Sequence, residues 1–206
     1  MKRNRAPVIL GWLILFCCLM GTDRSDAGEP ADRVRGMLDQ VISIQNDPSL
    51  QGKESEPQRR AAIQEIIAKN FNLGQMPETA LGPHWKPLNA EQQAEFRDLF
   101  RDLFEDSYTR LVLDFVRKEK IQYTGEEMQQ DGALVKTTMV RPQEQISVDY
   151  LLGRAKTGWL VRDVSIDGVS IVENYRRSFE KVIARDSFKG LMDRLQLQRK
   201  TIEKKP

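Results

Sequence analysis

His84 is the single histidine of this 206-residue chain, and beside Trp85 its imidazole could serve as a general base. Any serine triad would depend on that one ring, and a multi-histidine metal site cannot be built. The run Leu81-Gly82-Pro83-His84-Trp85 has the composition of a turn, so a histidine that packs or hydrogen-bonds locally is the plainer reading. Asp163, Asp167 and Glu173 could form a paired-acid or hard-cation site. Each also has a structural duty: Asp163 breaks a strand alternation, Asp167 opens an Asp-Gly turn, and Glu173 stands three residues after Ser170 in a capping box. Arg176 and Arg177, next to Tyr175, could meet an anionic headgroup or form an ordinary solvated face. No glycine-rich phosphate loop is present. The inventory points to a protein that is not an enzyme, with no cofactor and no metal.

Composition narrows the class further. With 32 Lys+Arg, 30 Asp+Glu, 40% hydrophobic and 30% charged residues, the chain reads as one folded domain. Lys2, Arg3 and Arg5 precede an uncharged run at 8–20, and a polar stretch follows, which is the layout of a secretory signal. The apolar run is shorter than the roughly 20 residues that span a bilayer. Cleavage after Ser25-Asp26-Ala27 fits best, with a signal ending near Gly21 as the alternative. Residues 1–27 are then a signal peptide and 28–206 a single exported domain. Both cysteines, Cys17 and Cys18, fall in the removed segment, so the mature chain has no thiol chemistry. The mature chain holds equal numbers of bases and acids, which removes the electrostatic case for a nucleic-acid partner.

The elements that must position any site follow from periodicity. Residues 31–46 and 58–70 read as amphipathic helices, a short helix falls at 78–81, and Asn89 with Gln92 marks the N-terminus of a long one. From 90 to about 118 there is no glycine or proline, and Phe96, Phe100, Phe104 and Tyr108 form an aromatic ridge at i+4 steps. After Lys120 the period becomes 2, predicting four strands joined by tight turns. Two further helices follow, from Ser170 and from about Asp186, and 196–206 reads as a frayed tail. The fold class is α+β, a curved four-stranded antiparallel meander packed with about six helices. Periodicity admits two readings of the ridge: ordinary core, or one wall of an apolar cavity.

The order of motifs resembles the MlaC family, also called the toluene-tolerance auxiliary family. The resemblance runs from about Asp32 to Leu195. It rests on Phe71-Asn72, Leu81-Gly82 with Trp85, Glu91-Gln92 through Phe96 and Phe100 to Tyr108, Val140-Arg141-Pro142, Val148-Asp149-Tyr150, Trp159 with Asp163-Val164, and Asp167-Gly168-Val169-Ser170 followed by Asn174-Tyr175-Arg176 and Phe179. Asn72, Asp167 and Ile171 depart from the residues usual in the family, which leaves cavity shape and ligand choice open. The resemblance implies a periplasmic carrier that moves phospholipid, most simply a diacyl species, between an inner-membrane ABC transporter complex with its substrate-binding ring and an outer-membrane lipoprotein complex. A hopanoid-associated carrier and a protein-binding adaptor are the alternatives. The physics suits a carrier: two chains with about thirty methylenes between them, at roughly 0.8 kcal/mol per methylene, oppose escape into water by on the order of 20 kcal/mol. On this reading the lipid-binding wall comprises Phe100, Phe104, Tyr108, Leu111 and Phe115 from the long helix and Val148 and Tyr150 from the sheet. Trp159, Val164, Ile166, Val169, Tyr175 and Phe179 complete it from the last strand and helix.

Overall fold

The computed structural model describes residues 29–116 and 119–203. The expected signal peptide lies outside the described residues. Helices α1 (Glu29–Asn46), α2 (Glu56–Asn70) and α3 (Met76–Leu81) lead to α4 (Ala90–Phe115). The sheet follows as β1 (Lys120–Gln129), β2 (Gly132–Arg141), β3 (Glu144–Ala155), β4 (Gly158–Ile166) and β5 (Val169–Ser170), and α5 (Ile171–Glu203) closes the chain. Short 3-10 turns stand at Pro48–Leu50 and Gly82–His84.

Helix α4 starts where its cap dictates. The Asn89 side chain accepts from the Gln92 amide at 2.9 Å and the Gln92 side chain accepts from the Asn89 amide at 3.0 Å, a reciprocal capping box. At 1.5 Å per residue the helix is about 40 Å long, and it is the spine on which α2, α3 and α5 pack. Its last carbonyls are satisfied from α1: the Gln45 amide donates to the oxygens of Val112, Leu113 and Val116.

The strands are antiparallel neighbours in chain order, β1 to β5. Ala133, Val135, Thr137 and Met139 of β2 are buried and alternate with the less covered Leu134, Lys136, Thr138 and Val140. The covered face meets α1, with α2 and α5 against β4. Five strands stand where the sequence predicts four. Asp167 and Gly168, both at positive φ (48° and 77°), make a tight reversal that returns Val169 and Ser170 to pair with Ile166 and Ser165. A two-residue strand carries too little alternation to be read from sequence. The break at Asp163 is a bulge, since Leu151 pairs with Asp163 but Leu152 pairs with Val161.

The predicted last two helices follow one another without a loop as α5, which is broken by a kink at Ser187 (φ 70°, ψ 172°), beside the Asp186 from which the sequence predicts the second to start. The stretch expected to fray stays helical through Glu203. Its cause is tertiary: Gln196 donates to Glu95, and Arg199 pairs with Asp102 at 3.3 Å, tying this end of α5 along α4.

Asp163 fastens α5 to the sheet. One carboxylate oxygen accepts from the Val164 amide (2.8 Å) and the Val172 amide (3.1 Å), and the other accepts from the Ser170 hydroxyl, whose oxygen in turn accepts from the Glu173 amide (2.9 Å). Asp163→Ala should therefore lower stability by about 2 kcal/mol, because it removes a helix cap and leaves two inward amides without a partner. Urea unfolding checks this, and a change under ~0.5 kcal/mol would mean that water replaces the carboxylate at no cost.

Candidate functional site

Helix α4 faces the first half of α5 through aromatic rings. Phe100 and Phe104 stack with centroids 5.8 Å apart, and Phe104 stacks on Tyr108 at 5.6 Å with planes 7° apart. Tyr175 of α5 meets Phe100 edge-on at 5.4 Å, and Phe179 meets Phe96 and Phe100 at 5.7 and 6.3 Å. Edge-to-face and offset geometries of this kind add about 0.5–1.5 kcal/mol per pair beyond area burial. Phe71, just after α2, reaches the same seam, 4.9 Å from Tyr108 and 5.6 Å from Phe104.

Where the rings stop, a small cleft of about 140 Å³ opens between Phe104, Ser107, Tyr108, Leu111, Ile171 and Tyr175. Ser107 offers a side-chain hydrogen bond to the Tyr175 hydroxyl. The volume is below the ~300 Å³ that even a drug-sized ligand needs. The expected lipid cavity is not open along this seam, where the rings of α4 and α5 are in contact.

The thirteen wall residues distribute unevenly. Phe100, Phe104, Tyr108, Tyr175 and Phe179 converge in the ring cluster, and Leu111 borders the cleft. Val148, Tyr150 and Val164 are buried, and Ile166 is partly buried against the same core. Three residues depart from expectation. Phe115 is 49% exposed at the end of α4, with the Arg141 guanidinium 5.8 Å over its ring, because no described later element covers that turn. Val169 is 55% exposed because β5 is the sheet edge. Trp159 is buried away from the cleft: its indole N–H donates to Glu29 at 3.2 Å, and Arg154 covers its ring at 4.7 Å.

The charged candidates have structural partners. Asp167 accepts from the Ser147 amide at 2.9 Å, and Glu173 holds both Arg176 and Arg177. The Glu173 carboxyl is lowered chiefly by its hydrogen bond from Arg176. His84 lies on the Gly82–His84 turn. Among the described residues no three His, Cys, Asp or Glu gather where they could hold a metal ion.

All four tyrosines, Tyr108, Tyr123, Tyr150 and Tyr175, are held above the ordinary phenol pKa, in each case first by burial. Tyr123 lies under the Arg35 guanidinium at 4.6 Å. A raised phenol contributes stability that is fully present below the unfolded value of about 10 and is lost as pH rises toward the folded value. Alkaline titration should therefore show tyrosinate absorbance growing together with loss of fold above pH ~10. Four phenols ionising near 10 in a chain that stays folded would contradict this burial.

The sequence pattern that defines the family described as MlaC protein matches residues 35–197. The chain belongs to the MlaC family. The match begins inside α1 and ends inside α5, so it spans all five strands and the whole aromatic seam. No curated protein sequence matches the chain. A solved structure of the same architecture is that of the phospholipid-binding protein from Ralstonia solanacearum in complex with a phospholipid. It is 24% identical, the alignment covers 85% of this chain and 99% of that one, and the TM-score is 0.72. At this identity the likeness lies in the fold. The MlaC architecture therefore accounts for how α4, α5 and the sheet meet.

Proposed function

We propose that this protein is a non-catalytic periplasmic carrier of phospholipid, with acyl chains held along the α4–α5 seam and the headgroup near the surface. The carrying observation is the seam itself: an apolar, ring-lined contact between two helices of an MlaC fold, leading to an apolar cleft. The phospholipid complex of the structurally similar Ralstonia protein supports the ligand class. Among the described residues tyrosine and serine supply the polar side chains at the cleft, and both phenols there are neutral at physiological pH, so the site offers exclusion of water and dispersion contacts rather than proton transfer.

Loading requires the rings to part, and release requires them to close again. Exchange is then controlled by partners that favour the parted state, since a ligand shifts an equilibrium only by its differential affinity for the two states. On this reading the partners are an inner-membrane ABC transporter complex with a substrate-binding ring and an outer-membrane lipoprotein complex. No described helix is long and apolar enough to cross a membrane itself. The test is transfer of a fluorescent phospholipid between donor and acceptor vesicles that cannot touch. The carrier should accelerate transfer in proportion to its concentration, and a rate equal to spontaneous exchange at micromolar protein would sink the proposal.

A further inference from the structure

On the side of α4 next to the aromatic cleft, an open cleft of about 510 Å³ lies between α2, α4 and the end of α5. Its charged residues are Lys53, Arg60 and Arg110 against Glu56 and Asp106. Asp106 is only 7% exposed and forms the floor. One of its oxygens accepts from Arg60 at 3.1 Å and the other accepts from Arg110. Arg60 also approaches Glu56 at 3.9 Å, and Lys53 makes no ion pair among the described residues. A single guanidinium would neutralise the buried carboxylate. Two are present, spread by it, and both remain open to solvent, with side-chain exposures of 32% and 43%. The arrangement leaves outward N–H donors on two planar forks and an ammonium at the same cleft, a combination suited to a tetrahedral oxyanion.

We infer that Lys53, Arg60 and Arg110 form a phosphate-binding cradle whose geometry is fixed by Asp106. Resting on the carrier reading above, it serves the phosphodiester of the carried lipid. Asp106 and Arg110 share the turns of α4 that carry Ser107, Tyr108 and Leu111, so chains at the seam and a phosphate at the cradle flank one short stretch of helix. The ligand class is then an anionic or zwitterionic phospholipid rather than a neutral diacylglycerol. Free phosphate shares the chemistry and is the other source that the site could recognise.

The test compares wild type with Lys53→Gln and Arg110→Gln. Lys53 is exposed, so its variant keeps the fold even if loss of Arg110 loosens the Asp106 contact. Each protein is equilibrated with vesicles containing palmitoyl-oleoyl phosphatidylglycerol or palmitoyl-oleoyl glycerol, and separately titrated with inorganic phosphate while the Arg60 and Arg110 Nε–Hε resonances are followed. Losing a charge-assisted contact should weaken phosphatidylglycerol retention about tenfold in each variant and leave palmitoyl-oleoyl glycerol within about twofold. Phosphate-dependent shifts at Arg60 and Arg110, with lipid retention unaltered by either variant, would assign the cradle to free phosphate. Unaltered retention together with unmoved arginine resonances overturns the cradle. If wild type retains neither lipid, the carrier reading fails, and the phosphate titration still decides whether the cleft binds the anion.

Discussion

Phe100→Ala is expected to lower the unfolding free energy by about 4 kcal/mol, the range for emptying a fully packed phenylalanine site. Phe100 is 2% exposed and touches four other rings: Phe96, Phe104, Tyr175 and Phe179. Its removal takes away the transfer free energy of one ring, the directional contacts with its neighbours and the packing of the helix interface they form. For a chain of this length such a loss lowers the melting temperature by about 10 °C, which calorimetry reads directly. Phe100→Leu should recover more than half of the loss, because most of the volume is restored. A loss below about 1 kcal/mol in the alanine variant would mean that α4 and α5 collapse freely onto the gap, and the seam would not be the packed contact described here.

The second large effect concerns ligand rather than stability. Tyr108 stacks on Phe104, meets Phe71 edge-on and borders the open end of the seam. In Tyr108→Arg the long side chain can carry its guanidinium out through the cleft while its stem covers Phe104, so the fold should persist. A lipid chain entering the seam would have to pass that charge, and desolvating it is costly enough to cut lipid occupancy by tenfold or more. Tyr108→Phe should leave occupancy within about twofold, since the phenol contributes no charge and little polarity to an apolar wall. Circular dichroism and extraction of bound lipid from the same preparations separate the outcomes. A folded arginine variant with wild-type occupancy places the acyl chains elsewhere, and an unfolded one makes Tyr108 plain core.

Local signals in the sequence transferred well to the structure. The Asn89–Gln92 box, the Ser170–Glu173 cap, the aromatic ridge of α4 and the change of period after Lys120 all depend on neighbours within four residues. What sequence could not supply was coverage. An amphipathic stripe says which way Phe115 faces but not whether another element arrives to cover it, and among the described residues none does at the end of α4. Trp159 illustrates the converse: its partner Glu29 is 130 positions away, so its place against α1 had no local sign. Phe71 joins the seam because the chain after α2 runs beside β4, where the Asn72 amide donates to the Val161 carbonyl at 2.8 Å. That contact spans about ninety residues, and only the fold brings it together. Glu126 likewise faces the helices from β1, because a bulge between Tyr123 and Gly125 shifts the register, and it accepts from the Ala31 amide at 3.0 Å, 95 residues away.

The cavity was the least legible feature, for a physical reason. Cavity wall and core draw on the same residues, and closed rings satisfy the same periodicity as parted ones. In the structure the rings touch and the remaining cleft is about 140 Å³.

The measurement that tests the central claim most directly is native mass spectrometry of residues 28–206 purified without detergent, with the bound species released and identified. The carrier account predicts a mass shift matching one or two diacyl phospholipids, absent or much reduced in Tyr108→Arg. A bare protein mass that persists after incubation with phospholipid vesicles would contradict it and return the aromatic seam to ordinary core.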